Sequence, residues 1–117
     1  IIILNLFLAV PRNRVGMMKF ILKYQEELNF PDTKFLGESA LKLSMSNYSS
    51  KPQQVKVYVL GKHFCVRHQN ITVNGKCMVT IPVYFCPTIR GDIVDSVRVL
   101  VASNKNPYHV RLSGKCI

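Results

Sequence analysis

The chain has 117 residues, which suits one domain, and 48% of them are hydrophobic, which excludes global disorder. It carries 16 Lys and Arg residues against 6 Asp and Glu, a formal charge of +10 that attracts acidic partners. The first residue is Ile rather than Met, so we expect the sequence to be part of a longer multidomain chain.

Residues 1–24 show no clear secondary-structure period. Residues 1–10 form an almost unbroken apolar run, which is shorter than the about 20 residues of a bilayer-spanning helix. We expect a buried strand or a short helix there, whereas residues 15–24 are compatible with either a short helix or a strand. We therefore assign residues 1–24 to an N-terminal extension or to the end of a preceding domain.

From residue 25 onward, apolar and polar residues alternate with the period of half-buried strands. This alternation is cleanest at Leu41, Leu43 and Met45. Pro82 cannot donate a ladder hydrogen bond, so we expect it on an edge strand or at a bulge. The predicted strands, two of them only short pieces, are 25–30, 40–46, 54–60, 64–66, 71–73, 77–85, 92–101 and 108–113.

Short polar turns such as Asn74-Gly75 separate these strands, and no long helix is indicated. This organisation predicts an all-β fold: an immunoglobulin-like antiparallel β-sandwich of about seven strands, preceded by the short N-terminal extension. The chain has no Trp, so Phe, Tyr or aliphatic side chains must anchor the core.

The four cysteines, Cys65, Cys77, Cys86 and Cys116, are interpreted as reduced thiols of a cytosolic protein. A secreted domain with disulfides is the alternative, and the sequons at Asn47 and Asn70 favour it weakly. His63, Cys65 and His68 form one compact group with metal-ligand spacing. A structural zinc site needs two close pairs of ligands, so no metal is predicted.

No catalytic residues and no cofactor are predicted. Cys65 could act with His63 or His68, but the strand that carries Cys65 forms no pocket around them. The chain has neither a Gly-rich phosphate loop nor a Ser-His-Asp arrangement. Nucleic acid is disfavoured because the tyrosines near basic residues also suit a sandwich surface.

Five stretches in order resemble the ASH domain, named for abnormal-spindle and hydin type proteins, over residues 25–117. They are Leu28-Asn29-Phe30 with Gly37-Glu38; Leu43-Ser44-Met45-Ser46-Asn47; Phe64-Cys65-Val66 with Asn74-Gly75-Lys76; Val83-Tyr84-Phe85-Cys86-Pro87 with Gly91; and Tyr108 to Gly114. The ASH domain is an immunoglobulin-like sandwich related to the major sperm protein and PapD-like folds. Residues 1–24 have no counterpart in this pattern.

The resemblance implies a non-enzymatic structural or targeting module in the cytoplasm and cytoskeleton, at a centrosome or at a ciliary or flagellar axoneme. Its expected partners are microtubules or tubulin, or axonemal and centrosomal scaffold proteins. Outward basic side chains would meet these acidic partners, and the candidates are Lys42, Lys56, Arg67, Arg90, Arg98 and Arg111.

The alternative function is an adaptor like the major sperm protein, which would bind acidic peptide motifs at membrane contact sites. Such an adaptor requires a basic groove gathered on one sheet face, whereas a scaffold is compatible with dispersed charge. The positions of the six basic residues in the fold can distinguish the two.

Overall fold

The computed structural model describes residues 16–18, 22–102 and 107–117. The expectation for residues 1–10 lies outside these ranges. The described residues form ten strands: β1 Gly16–Met18, β2 Leu22–Tyr24, β3 Glu27–Asn29, β4 Ser39–Asn47, β5 Gln53–Val59, β6 Phe64–Val66, β7 Asn70–Val73, β8 Met78–Phe85, β9 Gly91–Val101 and β10 Tyr108–Cys116. The predicted all-β fold is confirmed, and β1 and β2 add to the strands expected from the sequence.

The strands form two five-stranded sheets. The first sheet has the order β1-β2-β4-β8-β6, and the second has the order β3-β10-β9-β5-β7. Neighbouring strands are antiparallel except β3 and β10, which run parallel with Leu28 opposite Leu112. The segment that was compatible with helix or strand forms β1 and β2, and Lys23 of β2 pairs with Ser46 of β4.

Alternation along the strands directs apolar side chains between the two sheets. In β4, Leu43 and Met45 are fully buried while Lys42 is exposed, and in β9 the side chains of Val97 and Val99 flank the half-buried Arg98 in the same way. Each fully buried Val or Leu contributes about 1.5–3 kcal/mol relative to an exposed one. The burial of these faces holds the sheets together and leaves the alternate positions on the outside.

Three phenylalanines anchor one end of the core in place of a tryptophan. The ring centroids of Phe64 and Phe85 lie 4.7 Å apart, and the Phe30 ring lies 5.4 Å from the first and 5.7 Å from the second. Gly114 of β10 lies directly against this cluster, because a Cβ added there would meet the Phe85 ring at 2.5 Å. A glycine is therefore required where β10 crosses the aromatic cluster.

Pro82 does not lie on an edge strand, because β8 is flanked by β4 and β6. The pairing with β6 covers only Val83 to Phe85, so Pro82 lies one residue beyond it. The Cys86 N–H donates to His63 O, on the side of β6. Every second residue of β8 directs its N–H to that side, and Pro82, four residues before Cys86, is one of these positions. The missing N–H of Pro82 therefore interrupts no hydrogen bond of the ladder, which is why an inner strand tolerates it.

Candidate protein interaction face

Three of the candidate basic residues lie on the outer face of the second sheet. Lys56 of β5, Arg98 of β9 and Arg111 of β10 each alternate with buried neighbours that point into the core. We call these three residues the basic stripe. Their outward direction follows from strand alternation, and their proximity follows from the order of the strands, in which β9 lies between β5 and β10.

The strand register sets the spacing of the basic stripe. Arg98 lies opposite Tyr58 on one side and His109 on the other, while Lys56 lies opposite Leu100 and Arg111 lies opposite Ser96. Successive members of the stripe are therefore diagonal neighbours, about 7–8 Å apart. Such a row presents its positive charges to a single extended partner surface.

Contacts within the domain neutralise the stripe only slightly. The Arg111 guanidinium lies 4.0 Å from the Glu27 carboxylate, but both side chains are more than half exposed, and such a pair contributes about 0.2–1 kcal/mol. Lys56 Nζ lies 5.9 Å from the centroid of the Tyr58 ring. Arg98 Nε is buried and has no hydrogen-bond partner among the described residues.

Two open depressions flank the stripe on the same outer face. One has a volume of about 220 Å³ and includes Lys56, and the other has a volume of about 560 Å³ and includes Arg111. The smaller is lined by Gln54, Val55, Lys56, Asn70, Leu100 and Ala102. Its mixture of apolar and polar groups suits a small side chain of a partner protein next to a carboxylate.

The other three candidates lie elsewhere. Lys42 is on the outer face of the first sheet, opposite Pro82. Arg67 follows β6, with its guanidinium 4.0 Å from the centroid of the Tyr84 ring and 3.8 Å from the Glu38 carboxylate. The six residues therefore occupy both outer faces and one end of the sandwich, because Arg90 lies in the turn between β8 and β9.

Sequence reasoning did not include His109 and Leu100 among the candidates. Alternation along β10 places His109 on the same face as Arg111, two residues away, so this signal was present in the sequence. The proximity of Leu100 to Lys56 depends on the register between β5 and β9, which the sequence does not display.

Within the described residues, His63, Cys65 and His68 do not form a metal site. No cluster of three or more His, Cys, Asp or Glu side chains in these ranges could hold a metal ion. The Cys86 thiol donates to Glu38 Oε1 at 3.7 Å. Burial raises the pKa of Cys86, and the nearby Cys65 and Glu38 raise it further. A raised pKa lowers the thiolate fraction, the opposite of what a nucleophilic cysteine requires.

Comparison with known proteins identifies both the family and the fold. The Cep192 domain 8 family matches residues 16–117. No curated protein matches the chain. The ASH / PapD-like domain of human CEP192, its PapD-like domain 7, superposes with a TM-score of 0.71 at 14% identity, covering 93% of this chain and 91% of that domain.

Two more distant structures share the fold. The CupB2 chaperone of Pseudomonas aeruginosa superposes with a TM-score of 0.63 at 12% identity, covering 78% of this chain and 53% of the chaperone. WR4, an MSP family member of C. elegans, superposes with a TM-score of 0.52 at 12% identity, covering 79% of this chain and 93% of WR4. These likenesses confirm the expected PapD-like, immunoglobulin-like sandwich. No helix within the described ranges has the length and hydropathy needed to cross a membrane.

Proposed function

The chain belongs to the Cep192 domain 8 family, and we propose that it binds an acidic protein surface through the basic stripe on its second sheet. In this proposal the domain is a non-enzymatic scaffold module of a centrosomal protein, which its family and its PapD-like fold support. The observation that carries the proposal is the diagonal row of Lys56, Arg98 and Arg111 across three adjacent strands.

The electrostatics of the domain support an acidic partner. With a formal charge of +10, the domain steers acidic molecules toward itself, and complementary charges fix the register of an encounter. The smaller depression, which lies beside Lys56, gives such a partner a place for a side chain. Tubulin has the acidic surface that this arrangement requires, and we take it as the partner to test first.

The distribution of basic residues favours a scaffold over an adaptor with a single groove. Lys42 and Arg67 lie away from the basic stripe, so the six candidates do not form one groove on one sheet face. A scaffold is compatible with such dispersed charge, whereas an adaptor requires the basic residues in one groove. A location at ciliary or flagellar axonemes stays a prediction.

Microtubule co-sedimentation of the purified chain tests the proposal. We expect the chain to pellet with microtubules at low salt and to be released as salt rises, because screening weakens contacts between exposed charges. Lys56→Glu, alone and with Arg111→Glu, should weaken binding by about tenfold or more, since each reversal places like charge against the partner.

Lys42→Glu provides the matched control. Lys42 and Lys56 are both exposed lysines within strands, one on each outer face, so the same substitution changes the same net charge. Equal loss of binding in the two variants would contradict a role for the stripe. A chain that does not pellet at low salt would contradict tubulin as the partner.

A further inference from the structure

A cluster of exposed apolar side chains lies at one end of the sandwich, away from the basic stripe. Six large hydrophobic side chains of the described residues are exposed, and three of them belong to two loops that meet here: Phe35 at 37%, Leu36 at 70% and Ile89 at 54%. We call these three residues the apolar end patch. Contiguous exposed apolar surface on a soluble domain marks an interaction site more often than scattered single residues do.

Backbone hydrogen bonds fix the segments of the patch to one another. The Leu36 N–H donates to Pro87 O at 3.1 Å, and the Phe35 N–H donates to Ile117 O at 3.2 Å. The Ile117 N–H in turn donates to Thr33 O at 3.0 Å. The patch is therefore a preformed surface, and a partner that binds it loses little by ordering it.

Leu36 adopts a backbone conformation that leucine disfavours. The Gly37 N–H donates to Lys34 O at 2.7 Å and closes a four-residue turn, in which Leu36 occupies the third position with φ of 61°. Gly or Asn usually occupies that position, because a Cβ is strained in the left-handed region. A strained residue with a largely exposed apolar side chain is better explained by binding than by stability.

Lys76 shows that the same strain can have a structural reason. It also has a positive φ, of 57°, in the turn between β7 and β8 at the opposite end of the sandwich. Its Nζ donates to Tyr48 O at 2.6 Å, so its side chain contributes to the fold. The Leu36 side chain, 70% exposed, makes no comparable contribution.

The border of the patch is basic. The Arg90 guanidinium lies 4.6 Å from the centroid of the Phe35 ring, and Lys34 is exposed in the same turn as Leu36. The nearby carboxylate of Glu38 is already engaged by Arg67 and by the Cys86 thiol. A second copy of this chain would bring the same positive charges into contact, which disfavours a homodimer through this end.

We propose that the apolar end patch binds a segment of a partner protein in which apolar side chains are flanked by carboxylates. The apolar side chains would contact Phe35, Leu36 and Ile89, and the carboxylates would pair with Arg90 and Lys34. This site is separate from the basic stripe, so the domain would hold two partner segments, one on a sheet face and one at an end.

The test is an NMR titration of the ¹⁵N-labelled full chain with a polyglutamate peptide that contains one central Leu-Phe pair. We expect the amide signals of the apolar end patch to shift, and a peptide with Ser-Ser in place of the pair to bind about tenfold more weakly or worse. Leu36→Gly should weaken binding to a similar degree while raising Tm by a few degrees, because glycine relieves the strain.

Lys76→Gly is the matched control, since it changes the other left-handed residue and should leave peptide binding unchanged. Ile89→Ser gives a second variant, with expected loss of binding and no backbone strain involved. The inference is overturned if Leu36→Gly and Ile89→Ser bind normally, or if the amide signals of the apolar end patch do not shift when those of the basic stripe do. Binding to vesicles of anionic lipid instead of the peptide, or concentration-dependent dimerisation through this end, would also overturn it.

Discussion

Replacing Asn47 with alanine tests how the two sheets are joined at the end opposite the apolar end patch. Asn47 is fully buried at the end of β4, in the first sheet. Its Nδ2 donates to Val73 O at 2.9 Å, at the end of β7 in the second sheet, and to Lys51 O at 2.8 Å and Asn74 O at 3.2 Å. Its Oδ1 accepts from Ser49 N at 2.9 Å and from Ser49 Oγ at 2.7 Å.

These contacts allow the loss of stability to be estimated. The hydrogen bond to Val73 is buried, so alanine would remove a donor that water cannot readily replace, which costs about 1–3 kcal/mol. The bonds to Lys51 and Asn74 are only partly buried, and water can replace much of what they contribute. We therefore expect Asn47→Ala to lower the free energy of unfolding by about 2–4 kcal/mol, a large share of the about 5–15 kcal/mol typical of a domain.

Urea denaturation followed by far-UV circular dichroism measures this change. Asn70→Ala is the matched control, because Asn70 is exposed on β7 and should alter stability by less than about 0.5 kcal/mol. If the two variants unfold at the same urea concentration, the hydrogen bonds of Asn47 do not join the two sheets.

Asn47→Asp should make the free energy of unfolding depend on pH. A carboxylate at this position would face the carbonyl oxygens of Lys51, Val73 and Asn74, so its pKa in the folded state should lie above the unfolded value of about 3.9. The neutral acid can still donate to one carbonyl. The destabilisation relative to the native chain should therefore be small below about pH 4 and grow as pH rises through the folded pKa. A destabilisation that is independent of pH would contradict this account.

Three further changes follow from single contacts. Gly114→Ala should cost about 1–3 kcal/mol in urea denaturation, because the new Cβ would meet the Phe85 ring at 2.5 Å within a packed aromatic cluster; unchanged stability would show that the ring can move aside. Iodoacetamide should label Cys86 more slowly than the exposed Cys65 near neutral pH, because the pKa of Cys86 is raised. Glu38→Gln should increase the labelling rate of Cys86, and equal rates for the two cysteines by mass spectrometry would contradict this prediction. Glu27→Gln should change the free energy of unfolding by less than about 1 kcal/mol, because its pair with Arg111 is exposed, and a larger change would show that β3 depends on that pair.

Strand alternation predicted much of the fold. Alternation alone predicted a common apolar face for Leu43 and Met45 of β4, and both are fully buried. The strands β1 and β2 were not distinguished from a helix, because three residues do not display a period. Short strands that complete a sheet are specified by tertiary pairing more than by their own sequence.

The two proposed interaction surfaces could be recognised only once the fold was known. Alternation predicted that Lys56, Arg98 and Arg111 point outward, but their diagonal row depends on the register of β5, β9 and β10. Leu36 gave no turn signal in the sequence, because leucine is rare where φ is positive. Its role becomes visible only when the backbone conformation and the exposure are known together.

The most direct test of the central claim is recruitment of the fluorescently tagged chain to centrosomes in cultured cells. We predict that the native chain and Lys42→Glu concentrate at centrosomes, and that the double variant Lys56→Glu, Arg111→Glu remains diffuse while circular dichroism shows it folded. Normal recruitment of the folded double variant would contradict binding through the basic stripe.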